Sequence, residues 1–168
     1  HSFNQFIKAD EGGKYIYRVD HSESSNYMMN GSYLSVNGIT LTKYKADGKS
    51  TAVSVSIPVK FDINKSNYTG SSIGGFELGS GNCLIAYAKD VSSSCKTRNV
   101  YISVTDELFN GTQNIALTNY GTSSKVTCRT PQLIKINDNL FLVMWEEYNS
   151  STGKTTTCLL YTSPSPRD

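Results

Sequence analysis

The segment Asn4-Gln5-Phe6-Ile7-Lys8-Ala9-Asp10 returns, little altered, as Pro131-Gln132-Leu133-Ile134-Lys135-Ile136-Asn137. Each copy runs into a turn and then into an apolar strand that ends on an aromatic residue. A looser copy, Gly75-Phe76-Glu77-Leu78-Gly79, lies between them. One β-hairpin used three times constrains the chain to a repeat architecture, in which each unit buries its apolar face against a neighbour.

Strand patterns account for the rest of the chain. Lys14–Val19, Asn99–Thr105 and Leu140–Trp145 are rich in aromatic and β-branched residues, and Thr51–Ile57 alternates apolar and polar with period two. No window carries the 3.6-residue apolar period of a helix. Clusters of Gly, Asn, Asp and Ser separate the strands, at Glu11-Gly12-Gly13, Ala46-Asp47-Gly48, Gly79-Ser80-Gly81-Asn82 and Asn137-Asp138-Asn139. Such residues tolerate positive φ and close hairpins. The strands fall into groups of four: Phe3–Ala9, Lys14–Asp20, Gly38–Lys45 and Thr51–Val59, then Ile73–Leu78, Cys83–Lys89, Asn99–Thr105 and Gln113–Asn119. A third group opens with Pro131–Ile136 and Asn139–Glu147 and breaks near Lys154–Thr157. Tyr17, Tyr87 and Trp145 mark the period, at intervals of 70 and 58 residues. Four-stranded blades repeat every ~40–50 residues, so the excess must be loop. The insertions are His21 to Asn37 and Lys60 to Ser72.

Composition narrows the function classes. Sixteen Lys and Arg against fourteen Asp and Glu leave no basic footprint for nucleic acid. No apolar run approaches the ~20 residues of a membrane helix. The four cysteines, Cys83, Cys95, Cys128 and Cys158, match no redox or metal spacing. Cys83 and Cys95 are placed either to bridge a hairpin or to remain buried thiols. Five Asn-x-Ser/Thr sequons begin at Asn30, Asn64, Asn67, Asn110 and Asn149, as a chain rich in Asn, Ser and Thr produces by chance.

Several of these segments together carry a resemblance. They are His1-Ser2-Phe3-Asn4-Gln5, Val19-Asp20-His21, Gly74-Gly75-Phe76-Glu77, Arg98–Thr105, Leu117-Thr118-Asn119-Tyr120, and Thr130–Asp138 followed by Trp145-Glu146-Glu147. In sum they resemble the repeat domain of large secreted or surface proteins from gut-type bacteria, over nearly all of residues 1–157. That resemblance implies a propeller-like β-repeat domain and a secreted or cell-surface location. The family pattern follows Val-Asp-His with a small-residue, Arg-bearing turn, and Ser22-Glu23-Ser24-Ser25-Asn26-Tyr27 departs from it. The end, Cys158–Asp168, resembles a tail that recurs on unrelated reading frames from metagenomic assemblies, like translated adaptor sequence. Its Ser-Pro-Ser-Pro run cannot continue a sheet, because each Pro removes a ladder donor.

The residues with functional chemistry are few. Asp20-His21-Ser22-Glu23 sets an acid, a base and a hydroxyl side by side, but triads are assembled in space from distant segments. Asp20 and Asp90 each follow a repeat aromatic by three residues, where the third copy has Tyr148, so with His21 they are candidates to line a shared face. Tyr27, Tyr33 and Tyr68, in or near the inserted loops, are candidate stacking platforms for a ligand. Asn137-Asp138-Asn139 reads as a hairpin turn rather than a calcium loop. No catalytic constellation is visible.

The expected fold is all-β, with antiparallel four-stranded repeats in a partial β-propeller of about two and a half blades. A β-sandwich is the alternative. The blades are expected at 1–60, 72–120 and 130–157, the last incomplete, before a non-native or disordered tail at 158–168. The expected function is a non-catalytic binding or scaffold module that engages a glycan or protein through its inserted loops. The remaining blades of a longer chain would be further partners. The alternatives are part of a propeller-type carbohydrate-active enzyme with its catalytic residues outside this piece, and a structural spacer. No cofactor, metal, nucleic-acid partner or membrane span is expected.

Overall fold

Three antiparallel sheets, none closed on itself, make up the computed structural model of this chain. It describes residues 6–23, 33–47, 51–57, 61–64, 73–92, 95–108, 110–111 and 113–164, and there is no helix among them. The chain divides into two compact units, His1–Ser71 and Ser72–Asp168.

The first unit holds one sheet. Its strands are β1 (Phe6–Ala9), β2 (Tyr15–Glu23), β3 (Tyr33–Lys45), β4 (Thr51–Ile57) and β5 (Phe61–Asn64). They run as an antiparallel meander, β1-β2-β3-β4, and β5 also pairs with β3. Val36 pairs with Glu23 on one side and with Phe61 on the other, so β5 lies on the β4 edge of β3. β4 and β5 thus lie one after the other along the same edge of β3. The second expected insertion therefore contributes a strand, and the first supplies the end of β2 and the start of β3. On one face Tyr17 and Val19 pair with Lys43 and Leu41, and all four are buried. Lys43 is only 5% exposed, and its ammonium lies 4.1 Å and 5.2 Å from the ring centres of Tyr15 and Tyr17. The aromatic faces give a buried cation a favourable field.

The second unit holds two sheets. One is the meander β6 (Ile73–Gly79), β7 (Asn82–Ser92), β8 (Cys95–Asp106) and β9 (Gln113–Ala116). The other is β10 (Val126–Asn137), β11 (Leu140–Asn149) and β12 (Lys154–Thr162). The three copies of the repeated segment each supply the first strand of a sheet: β1, β6 and β10.

These two sheets pack face to face. Leu84, Ala86, Val100, Ile102 and Val104 of the β6–β9 sheet meet Cys128, Leu133, Phe141, Val143 and Trp145 of the β10–β12 sheet. The period-two alternation of β11, with Phe141, Val143 and Trp145 inward, is the pattern that selects this face. The opposite face of β7, with Cys83, Ile85 and Tyr87, is buried as well, so the run Cys83–Ala88 is apolar throughout. Along β6 the approach is closest. A Cβ on Gly74 would run into the Pro131 carbonyl, one on Gly75 would lie 2.7 Å from Leu133 Cβ, and one on Gly79 2.5 Å from Phe141 Cζ. Glycine there lets backbone meet backbone.

The turns interlock too. Ser80 and Gly81, with φ of 49° and 76°, close β6 to β7 as a two-residue turn of the primed kind that suits twisted hairpins. Ser80 Oγ reaches Asp138 O at 2.9 Å and Asn139 Oδ1 at 2.8 Å, in the equivalent turn between β10 and β11.

Two expectations at the far end are corrected. The third sheet does not break near Lys154–Thr157, because β12 pairs with β11 in one unbroken register from Lys154 to Thr162. Cys158–Thr162 is therefore strand, which corrects the disordered half of the expected non-native or disordered tail; Tyr161 and Thr162 are residue types that suit a strand whatever the segment's origin. The strand stops before Pro164, as loss of the proline donor requires.

Candidate functional site

The second strands of the first two meanders, β2 and β7, carry Asp20 with His21 and Asp90 near the end that leads to the third strand. In the first sheet Asp20 pairs with Thr40 and His21 with Ile39. A register shift between Ser22 and Glu23 marks a bulge just beyond them, and bulges re-aim the residues around them. Tyr33 opens β3 opposite Asn64, so it belongs to that same end of the sheet. Asp20, His21 and Ser22 are consecutive strand residues, a placement unlike a triad gathered from distant segments. Tyr27 and Tyr68 lie outside the described residues.

In the second unit Asp90 pairs with Arg98 across β7 and β8, and the two form an ion pair of 2.8 Å. Their side chains are only 13% and 24% exposed, so Asp90 is engaged within the sheet. The Arg98 amide donates to Thr127 Oγ1 at 2.9 Å, and Thr127 pairs with Tyr148. The Arg129 guanidinium stands 4.0 Å over the Tyr148 ring. Asp90, Arg98, Tyr148 and Arg129 therefore share one end of this unit. Tyr148 stands where an acid stands in the other two copies, and it recruits an arginine through its ring instead of a carboxylate.

Next to this end lies a polar cluster that sequence reasoning passed over. Asn99, 4% exposed, holds the segment after β9 by its backbone. Its Nδ2 donates to Tyr120 O at 2.9 Å, and its Oδ1 accepts from Tyr120 N at 2.6 Å and from Thr118 Oγ1 at 2.9 Å. Thr118 Oγ1 in turn accepts from Val100 N at 2.9 Å. Tyr120 then reaches across to the third sheet, where its hydroxyl donates to Glu147 Oε2 at 2.7 Å. Trp145 Nε1 donates to Glu147 Oε1 at 3.1 Å. Trp145 and Glu147 are two residues apart on one strand and share a face, and Cys158 sits opposite Trp145 on the same side.

This cluster keeps its protons. Tyr120 is pushed from 10.0 up to about 12, chiefly because its hydroxyl donates to the Glu147 carboxylate. Burial pushes the Cys128 thiol from 9.0 up to about 11, against the opposing bond from Thr118. Burial and then the Glu147 charge push Cys158 up as well. A thiol is a nucleophile only as thiolate, and these surroundings disfavour that form. The arrangement is chemically a clamp: a carboxylate gathers two donors and ties the Leu117–Tyr120 segment to the third sheet.

The other candidates take structural places. No disulfide joins any of the four cysteines, so Cys83 and Cys95 do not form the bridge left open by their spacing. Asn137-Asp138-Asn139 is a turn, with Asn139 N donating to Asn137 Oδ1 at 2.8 Å and Asp138 ion-paired to Lys135 at 2.8 Å. Among the described residues, no three His, Cys, Asp or Glu side chains gather as metal ligands. None of their helices, there being none, could cross a membrane. The signal for the clamp was present in the sequence. Leu117–Tyr120 and Trp145–Glu147 both belong to the motifs of the bacterial resemblance, and a Trp-x-Glu strand puts its aromatic and its acid on one face. Comparison with family models, with curated proteins and with solved structures finds no match to this chain.

Proposed function

We propose that this chain is a piece of a propeller-type repeat scaffold in a secreted or surface protein of bacterial origin. Its job is binding: strand ends and inserted loops engage a glycan or a protein partner. The observation that supports this reading is where the repeat spends its shared residues. Sheets that open with copies of one segment stack face to face, with first strand against first strand and turn against turn. Stacking of neighbouring units in this manner is the habit of repeat proteins, which carry their specificity in the connecting segments. The third copy carries Tyr148 where the other two carry Asp20 and Asp90, at the end of the second strand, and that end leads into segments of different sequence in each copy.

The test is a glycan array and a panel of polysaccharide substrates, both run with the whole chain. Binding to a defined glycan class without release of sugar is the expected result. Turnover of any substrate would replace the binding reading with the enzymatic one. Failure of both, with the chain folded, would leave the role of a structural spacer.

A further inference from the structure

Arg129 and Glu146 stand opposite each other in the register of β10 and β11, and both are exposed. Among the described residues, neither makes an ion pair. The arginine instead takes the diagonal, with its guanidinium 4.0 Å from the centre of the Tyr148 ring. A guanidinium seated over an aromatic face keeps the N–H donors of its rim available. Glu146 and Tyr148 alternate along β11 with Trp145 and Glu147, so they share the outer face of the sheet. Opposite them on β12 are Thr157 and Thr155, both exposed. One face therefore offers a pre-set arginine fork, a carboxylate engaged by no cation and two hydroxyls.

The backbone is strained beside this arginine. Thr130 and Pro131 both oppose Trp145, so β10 carries a bulge immediately after Arg129. Thr130 has a φ of 47°. Glycine ordinarily takes that left-handed position in a bulge, and a β-branched residue before proline suits it least. Pro131 accounts for the bulge, which tolerates a missing ladder donor. It does not account for the threonine. Strain of this kind persists where it holds a functional group in place, and the side chain next to it is that of Arg129.

We infer that Arg129 anchors a subsite for an acidic sugar, whose carboxylate or sulfate sits on the guanidinium and whose hydroxyls meet Glu146, Thr155 and Thr157. The inference rests on the glycan-binding reading above and narrows it to anionic chains. The arginine fork matches an oxyanion with two parallel bonds. Glu146 accepts from sugar hydroxyls, and its charge opposes a dense polyanion such as nucleic acid. Tyr148 and Thr130 are positioning residues, one beneath the guanidinium and one beside its backbone. The first two copies carry Asp20 and Asp90 in place of Tyr148, so the subsite belongs to the third sheet alone.

Titration calorimetry of the whole chain with polygalacturonate, dextran sulfate and neutral dextran tests this. The first carries carboxylates, the second sulfates and the third neither. The expected result is binding to at least one acidic polymer, weakened by added salt, and none to dextran. Arg129→Gln should lower the affinity ~10-fold or more, and Arg129→Lys, which keeps the charge but loses the fork, should also weaken it. Tyr148→Phe keeps the ring and should bind like the parent, whereas Tyr148→Ala should bind weakly. Thr130→Gly should raise the denaturant midpoint and still weaken binding, a pair of effects that a purely structural residue would not give. Lys135→Gln, near the far end of β10 and ion-paired to Asp138, should leave the affinity unchanged, and circular dichroism checks that each variant is folded. Acidic binding that survives Arg129→Gln, or that Lys135→Gln weakens equally, would overturn the inference and leave the glycan-binding reading standing. Binding to dextran alone would do the same. No binding to any of the three polymers would overturn the inference, and the glycan array then decides the broader reading.

Discussion

Glu147 illustrates how much one carboxylate can organise. Its two oxygens accept from Tyr120 and Trp145, residues of different sheets' segments; its bond to Tyr120 raises that phenol's pKa, and its charge adds to the burial that raises the neighbouring thiols. Removing the phenol's hydroxyl by Tyr120→Phe leaves Glu147 one donor short. A half-exposed hydrogen bond to a charged group should then cost about 1 kcal/mol of stability, measurable as a lower denaturant midpoint with unchanged slope. The alkaline limb carries a second signature. A group whose folded pKa lies above its unfolded value stabilises the fold fully below the unfolded value and loses that contribution as pH rises through the folded one. For Tyr120 the window runs from 10.0 to about 12, and for Cys128 from 9.0 to about 11. Stability should therefore decline from about pH 9 upward, and Tyr120→Phe should lack the upper part of that decline. An alkaline limb identical in the variant would dismiss the clamp.

Among the elements, β6 is the one whose sequence looks least like a strand and matters most as one. Its glycines weaken local β-propensity, yet they allow β10 to approach backbone to backbone, a gain visible only when both strands are in place. Gly75→Val should destabilise the second unit by roughly 1–3 kcal/mol, the usual range for overpacking, because its Cβ would meet Leu133. Gly121→Ala, in open space with no neighbour within 4 Å, should stay within about 0.5 kcal/mol of the parent. Equal effects at the two sites would show that the sheets do not pack in this way. The element boundaries were mostly legible, since alternation and turn chemistry are local. β5 and the second half of β12 were not. β5 is a four-residue strand inside a polar stretch, held by its continuation of β4 along β3. Cys158–Thr162 is held by its register with β11, which no local propensity reveals.

For the whole molecule, the state of the cysteines is a compact test. With no disulfide among the four cysteines, two of them fully buried at Cys83 and Cys128, the melting temperature should be unchanged by reductant. Cys95 should react with a thiol reagent in the native protein, Cys158 more slowly because burial and Glu147 hold its thiol protonated, and the buried pair only on unfolding. Loss of stability on reduction would contradict the assignment. By itself the sequence determined the all-β class, the grouping of strands into repeated meanders and the turns between them, because period-two alternation and turn residues act over a few neighbours. The same local reading singled out Asp90 but not its arginine, and found the motifs of Tyr120 and Glu147 without their bond. Only the tertiary structure decided which faces meet, why β6 must be glycine-rich and which acids are already engaged. Those outcomes depend on groups far apart in the chain arriving within a few ångströms of one another, and packing, not local propensity, sets that distance.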